Sequence, residues 1–179
     1  MSDSSIAIVP KVTAYRAKDE KAKEILEWLI SKDIVKPEIT DCTLSESGGH
    51  AISNGARNIV KEPEYLPFEL VTNGLEIVTE RKVFDTGENF VDVIICPTCK
   101  TDVSAEDWDL GPWAESISDG MTCPSCGNQS EIHNYAFEPE WGFSDLGFIF
   151  WNWTEFNDEF IKEFKEKLNS DINTVYSRI

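Results

Sequence analysis

The sequence predicts an α+β protein in which two strand-helix-strand units enclose an inserted segment that contains cysteines. Near each end of the chain, an amphipathic helical pattern is flanked by short apolar runs typical of strands. Between these units lie two Cys-x-x-Cys pairs in sequence rich in turn residues. Two such units can pair into one sheet with both helices on one face, which predicts a ferredoxin-like arrangement.

The first unit begins with an apolar run at residues 5–15, which predicts a strand. Pro10 favours an edge or interrupted strand, because proline has no backbone N–H for a sheet ladder. KPEITDCTL, residues 36–44, predicts a turn into a second strand. Between them, a helix is indicated by apolar residues on one side with i, i+3, i+4, i+7, i+8 spacing: Ala22, Ile25, Leu26, Leu29 and Ile30.

The middle of the chain carries weaker signals. Residues 45–67 are punctuated by glycine and proline and are predicted to be mostly loop. Residues 73–84, NGLEIVTERKVF, predict a strand or a hairpin. A short helix is expected within residues 104–116, between the two cysteine pairs.

The closing unit has the clearest pattern. LGFIFWNW, residues 146–153, predicts a strand with two apolar faces, so we expect it to be central and covered on both sides. Thr154 is the expected N-cap of a following helix, and residues 171–179 predict the last strand. One face of the strand at residues 146–153 carries Phe148, Phe150 and Asn152, and the other face carries Ile149, Trp151 and Trp153. The apolar stripe of the following helix consists of Phe156, Phe160, Phe164 and Leu168.

These elements divide the chain into three predicted parts. Residues 1–83 form the first half of the α+β domain, residues 84–137 the inserted module and residues 138–179 the second half. We expect the module to cover the sheet face that has no helices. The last part contains a dense set of aromatic residues: Trp141, Phe143, Phe148, Phe150, Trp151 and Trp153. We predict that these side chains form part of the hydrophobic core. The alternative is that they line a ligand cleft or form a protein-binding hot spot.

Four of the five cysteines form two pairs, CPTC with Cys96 and Cys99, and CPSC with Cys123 and Cys126. The fifth, Cys42, is expected to be a small buried residue. Two such pairs at this separation are typical of a tetrahedral zinc site. An odd count fits metal ligation plus a free thiol better than a set of disulfides.

CPTC and CPSCG resemble the two knuckles of zinc ribbons, over residues 84–137. The resemblance implies a small β-rich module with one structural Zn²⁺ held by Cys96, Cys99, Cys123 and Cys126. Many zinc ribbons bind nucleic acid. That role is not expected here, because six acidic residues lie between the pairs against Lys100 alone: Asp102, Glu106, Asp107, Asp109, Glu115 and Asp119.

Other interpretations of the cysteines remain open at this point. CPSCG also resembles a rubredoxin-like knuckle, which would hold iron. Catalytic zinc is disfavoured because four protein ligands leave no open position for water. A thiol-disulfide site is disfavoured because neither pair begins a helix in a thioredoxin-like unit. His133 is a candidate extra or replacement ligand, although an ordinary strand histidine is the favoured interpretation.

The net charge of −17, from 33 acidic and 16 basic residues, disfavours a nucleic-acid partner. The first residues do not have the pattern of a signal peptide, and LGFIFWNW is too short to span a membrane, so a cytoplasmic protein is expected. The overall pattern also resembles bacterial proteins of unknown function. The sequence gives no indication of oligomeric state.

The favoured function is a non-enzymatic acidic binding protein that carries a structural zinc ribbon. Its expected partner is a protein, with a basic one favoured, as in an immunity or antitoxin role. The alternative is a small-ligand-binding protein or enzyme that uses the loop near His50 and an aromatic cleft. A third possibility, a ribbon protein linked to transcription or RNA, would need a basic patch that the composition disfavours.

Overall fold

The protein is built around a six-stranded sheet, as seen in a computed structural model that describes residues 2–179. Its helices are few and its sheets are mostly antiparallel, so the prediction of a mixed α and β protein is confirmed. The helices are α1 (Lys18–Ser31), α2 (Gly111–Ala114) and α3 (Asp158–Leu168). The strands are β1 (Ser4–Pro10), β2 (Val35–Thr40), β3 (Gly49–Ile52), β4 (Leu75–Val78), β5 (Lys82–Phe84), β6 (Val93–Ile95), β7 (Gly120–Thr122), β8 (Gln129–Glu131), β9 (Ala136–Glu138), β10 (Gly142–Ser144), β11 (Gly147–Trp151) and β12 (Ile172–Arg178).

The large sheet has the strand order β12-β1-β11-β4-β3-β2, and each neighbouring pair is antiparallel. β1 therefore lies inside the sheet, and the prediction of an edge or interrupted strand is wrong. Pro10 is tolerated because it is the last residue of β1. The next residue, Lys11, continues the backbone pairing by donating its N–H to the Asp171 carbonyl at 2.8 Å.

Residues 73–84 form two strands that do not pair with each other. β4 pairs with β11 and β3 in the large sheet, whereas β5 pairs with β10 in a separate two-stranded ladder. The hairpin alternative is therefore wrong. The stretch at residues 45–67 contains the short strand β3 and two 3₁₀ turns, at Asn54–Asn58 and Pro63–Tyr65.

Helices α1 and α3 pack on the same face of the large sheet. Ile25 of α1 and Phe164 of α3 are both fully buried in one cluster with Ile8 of β1 and Phe148 of β11. Trp28 of α1 stacks on Phe160 of α3, with ring centroids 5.7 Å apart. Burial of each such side chain contributes about 1.5–3 kcal/mol. This cluster is therefore the main stabilising core of the framework, defined as the part of the described chain outside the predicted module (residues 2–83 and 138–179).

Helix α3 begins at a different cap from the one predicted. Its N-cap is Asn157, whose side-chain oxygen accepts the Phe160 backbone N–H at 2.8 Å, so the prediction of Thr154 is wrong. Asparagine is among the best N-cap residues because its short side chain reaches the free N–H groups of the first turn. The predicted stripe is otherwise confirmed, since Phe160, Phe164 and Leu168 are all buried.

Strand β11 is covered on both sides, as predicted. Phe148 and Phe150 belong to the helix-side core, and Ile149 and Trp151 to a second cluster on the opposite face. Trp153 was predicted on that opposite face but lies in the helix-side core. The reason is that β11 ends at Trp151 and Asn152 has a φ of 63°, so the alternation stops before Trp153.

Strands β5 and β10, which lie at the borders of the predicted module, cover part of the helix-free face. Strand β10 crosses β1 so closely that a Cβ added at Gly142 would come within 2.9 Å of the Val9 side chain. Phe84 of β5 packs beside it in a cluster with Val175. This cover lies over the Val9 end of β1, and a groove remains near Ser5 and Ala7 at the other end.

Within residues 2–179, none of the helices has the length and apolar character needed to cross a bilayer.

Candidate metal centre

Two turns of matched geometry carry the four cysteines. The first turn lies between Ile95 and Asp102, which form an antiparallel bridge, and holds Cys96 and Cys99. The second lies between Thr122 at the end of β7 and Gln129 at the start of β8, which are register partners, and holds Cys123 and Cys126.

The same backbone hydrogen bonds close both turns. The Cys96 N–H donates to the Thr101 carbonyl at 3.1 Å, and the Cys123 N–H donates to the Asn128 carbonyl at 2.9 Å. The carbonyls of these two cysteines accept N–H groups four residues later, from Lys100 at 3.1 Å and from Gly127 at 2.9 Å. These bonds make each Cys-x-x-Cys pair a knuckle with both sulfurs on one side.

The knuckles face each other and bring the four sulfurs together. The Sγ atoms of Cys96 and Cys126 are 3.9 Å apart, as are those of Cys99 and Cys123, and all four lie within 4.8 Å of one another. A tetrahedral zinc ion with Zn–S bonds of about 2.3 Å requires sulfurs about 3.8 Å apart. The spacing therefore fits one four-coordinate metal ion. It is far longer than the roughly 2.05 Å of a disulfide bond.

Backbone N–H groups point at the sulfurs that the metal would bind. Thr98 donates to Cys96 Sγ, and both Ser125 and Cys126 donate to Cys123 Sγ, each at 3.4 Å. Burial alone would raise the pKa of the Cys96 thiol, but the N–H groups of Cys99 and Thr98 outweigh it and lower that pKa to about 6. The knuckle therefore favours the thiolate, which is the form that binds metal.

The pKa of the fourth thiol is shifted in the opposite direction. The Asn128 N–H acts to lower the pKa of Cys126, but burial and the three neighbouring cysteines outweigh it and raise the pKa to about 11. Four thiolates within 4.8 Å would repel one another strongly without a positive ion. A divalent metal ion would offset this repulsion, because it would stabilise all four cysteines in the ionised form.

The two knuckles pack on a hydrophobic cluster that is separate from the core of the large sheet. Cys96 and Cys123 are buried in it together with Trp113, Met121 and Tyr135. The Tyr135 hydroxyl donates to the Met121 carbonyl at 3.0 Å, and burial, followed by the charges of the nearby cysteines, raises the pKa of Tyr135. Cys126, by contrast, is exposed, so the centre lies at the surface of the module.

Arg81 joins the module to the framework. Its Nε donates to the Trp113 carbonyl at 2.6 Å, one terminal nitrogen donates to the Ser118 carbonyl at 2.8 Å, and the other contacts Asp119 at 3.1 Å. Its guanidinium also lies 4.3 Å from the centre of a Trp113 ring. The role of Arg81 was not predicted from the sequence. No local signal identifies it, because its partners are more than 30 positions away.

His133 is not placed as a metal ligand. It lies in a 3₁₀ turn, Ile132–Asn134, rather than in the strand that the sequence predicts. Its Nδ1 is 2.6 Å from Glu131 Oε1, and its Nε2 is 2.8 Å from the Phe143 carbonyl oxygen. Each ring nitrogen therefore lies within hydrogen-bonding distance of an oxygen atom. The contact with the Phe143 carbonyl links His133 to strand β10.

The segment around His50 differs from the loop that the sequence predicts. His50 lies in strand β3 instead of a loop, is 8% exposed, and its Nδ1 is 3.0 Å from the Lys36 carbonyl oxygen. His50 is not among the residues that line the five cavities described within residues 2–179. Cys42 is buried, as expected, and its sulfur lies against Gly74.

The aromatic residues of the last part are mostly core. Phe143, Phe148, Phe150, Trp151 and Trp153 are buried. Trp141, the remaining one, is half-buried and stacks on Phe137 with centroids 5.5 Å apart. Its indole N–H donates to the Thr86 hydroxyl at 3.1 Å. The segment therefore presents no exposed aromatic cluster, although Trp151 also borders the groove on the helix-free face.

Comparison with protein-family models, with curated proteins and with solved structures found no match. The description of this centre therefore rests on its geometry.

The two matched knuckles allow a paired test at the residue that follows the second cysteine of each pair. Lys100 and Gly127 both have a left-handed backbone, with φ of 61° and 77°. We expect Gly127→Ala to destabilise the metal-loaded protein by about 1 kcal/mol, because a side chain disfavours this conformation. Lys100→Gly should change stability by less than about 0.5 kcal/mol, because the relieved strain is offset by greater freedom of the unfolded chain.

Urea denaturation of the two variants measures these differences. The two turns would not be equivalent if Gly127→Ala left the free energy of unfolding unchanged while Lys100→Gly lowered it strongly.

Proposed function

We propose that the four cysteines hold one structural Zn²⁺ and that the surrounding segment is a zinc ribbon. The observation that supports this is the set of four sulfurs at tetrahedral spacing, with backbone N–H groups directed at them. Four protein ligands leave no position for a water or a substrate, so the ion would stabilise the module and not take part in a reaction. Iron accepts the same four ligands, and metal analysis distinguishes the two ions.

We further propose that the framework is a variant of the ferredoxin-like arrangement, with the zinc ribbon inserted at about residues 84–137. The order β12-β1-β11 and the position of both helices on one face support this. The framework differs by two strands, since both β4 and β3 separate β11 from β2.

The function that these features support best is that of a non-enzymatic binding protein for a basic protein partner, in the manner of an immunity or antitoxin protein. Charge carries this proposal. The chain has a net charge of −17, and one Zn²⁺ on four thiolates changes it to −17 − 4 + 2 = −19. Such a field speeds association with a basic partner and repels nucleic acid. A reducing cytoplasm would suit a centre that needs free thiols.

The module offers the most suitable surface for that partner. All six acidic residues between the cysteine pairs are exposed, including Glu106 and Glu115. Two large apolar side chains are also exposed there, Ile117 at 73% and Phe90 at 82%. Exposed carboxylates around such apolar groups match a basic surface with an apolar centre.

Affinity capture followed by reconstitution tests this function. The zinc-loaded chain is used to capture partners from its native cell, and a recovered protein is purified and its affinity measured. We expect a basic protein whose binding weakens with salt and falls about tenfold for the variant Glu106→Gln/Glu115→Gln. The matched control is Glu38→Gln/Glu69→Gln, which removes the same charge from the framework and should change affinity less than twofold.

Recovery of no basic partner would contradict the proposed function. Equal losses for the two charge variants would contradict its assignment to the module.

A further inference from the structure

A groove of about 320 Å³ lies on the helix-free face of the large sheet, away from the cysteines. The groove exists because β1 has two small residues at this point, Ser5 and Ala7, whose side chains fill little space above the sheet. Larger residues flank them in register, with Trp151 beside Ser5 and with Ile149 and Val175 on the two sides of Ala7. The sheet therefore builds a depression between larger apolar side chains.

One wall of the groove is fixed in place. Gly87 has a φ of 59° and approaches β12 so closely that an added Cβ would lie 2.1 Å from the Arg178 carbonyl oxygen. The next residue, Glu88, donates its N–H to that oxygen at 2.7 Å, and Arg178 donates to the Thr86 carbonyl at 3.2 Å. Backbone hydrogen bonds thus hold this wall of the groove in place.

The size of the groove sets the size of its ligand. Its volume is within the usual range of small-molecule sites, at their lower end. It is roughly twice the ~150 Å³ that encloses one benzene ring in a protein interior. An apolar body of about two fused rings would therefore fill it.

The polar groups of the groove favour a cation. The Glu76 carboxylate lines it, and one of its oxygens accepts the Trp151 indole N–H at 2.9 Å, which orients both side chains. The second oxygen has no role in that bond and can accept a ligand N–H. The lining also contains Asp85 and Lys82, so its charged side chains sum to one negative charge, within a protein of net charge −17.

We propose that this groove is a binding site for a small organic amine, in which a protonated amino group contacts Glu76 and an apolar body of about two fused rings lies over Ala7 and Ile149. The site is independent of the zinc centre and of the proposed protein partner. Its failure would leave both of those proposals untouched.

Tryptamine is a suitable probe, because it joins two fused rings to a protonated amine. Titration of the zinc-loaded full chain, followed by ¹H–¹⁵N NMR, should give saturable shifts at the Ser5, Ala7 and Gly87 amides and the Trp151 indole N–H. We expect a Kd below about 1 mM for a ligand of this size. Indole-3-propionic acid, with a negative charge in place of the amine, should bind at least about tenfold more weakly.

Charge variants test the role of Glu76. Glu76→Gln keeps a hydrogen-bond acceptor for the Trp151 indole but removes the charge, and should weaken tryptamine binding about tenfold. Glu80→Gln removes an exposed charge outside the lining and should leave the Kd unchanged within about twofold. Lys82→Ala removes a positive charge from the lining and should strengthen binding.

Three results would overturn the proposal. The first is the absence of saturable shifts at millimolar tryptamine in the folded chain. The second is equal binding of the acid, or equal affinity in Glu76→Gln. The third is a concentration-dependent shift of the groove signals without ligand, which would assign the groove to contact with a second copy of the chain.

Discussion

Cys123→Ser is expected to abolish stoichiometric metal binding and to unfold the module that carries the centre. Cys123 is 1% exposed, and its sulfur accepts two backbone N–H groups at 3.4 Å. Structural zinc contributes about 10–16 kcal/mol of apparent binding free energy in small zinc modules. Loss of one ligand removes part of this binding free energy, so we expect the variant to be destabilised by more than about 4 kcal/mol. Thermal and denaturant unfolding would measure the stability, and elemental analysis would measure the metal content.

A second cysteine provides the matched control. Cys42 is also buried, but it lies beside Gly74 and far from the knuckles in sequence. Cys42→Ala should keep the metal and lose only about 1 kcal/mol, the usual effect of a small buried deletion. If Cys123→Ser kept its metal and its melting temperature, the proposed structural role of the centre would be wrong.

Trp113→Ala is expected to have the second-largest effect, because this residue joins the module to the framework. It is fully buried, it meets Phe143 edge to face at 5.5 Å, and its indole N–H donates to Thr13 at 3.2 Å. Arg81 lies against its ring on the other side. Truncation of a buried tryptophan to alanine costs about 3–5 kcal/mol, which chemical denaturation would measure.

The control for this change is another tryptophan of the module. Trp108 is half-buried, and its indole N–H donates to the Ser104 carbonyl at 3.1 Å. Trp108→Ala should cost less than about 2 kcal/mol, since it leaves a smaller cavity and loses one edge-to-face ring contact outside the module, with Trp141 at 5.8 Å. Both variants should retain one metal ion per chain. Equal stability losses would show that Trp113 has no special part in attaching the module.

The cluster of four cysteines was predictable because each of its two turns is encoded by neighbouring residues. Each knuckle needs a cysteine pair within a short turn, and Gly127 marks the left-handed position of the second one. The same position in the first knuckle is occupied by Lys100, so that turn carries a weaker signal. Helix α1 was predictable for a similar reason, since Ile25 and Leu29 repeat at helical spacing and both are buried.

Features that depend on distant contacts were missed or misplaced. Strand β1 became internal because β12, more than 150 residues later, pairs along its free edge. His50 was predicted in a loop from its glycine neighbours, but pairing with β2 and β4 holds it in a strand. The small residues Ser5 and Ala7 form a groove only because Trp151 and Val175 flank them. Spacing within a sequence does not reveal such partners.

The most direct test of the account is the metal content of the purified full-length chain, measured by elemental analysis against protein concentration. We expect one zinc per chain, bound by Cys96, Cys99, Cys123 and Cys126, two pairs of whose sulfurs are 3.9 Å apart. A chain that is folded but contains iron, or no metal, would contradict the structural zinc centre.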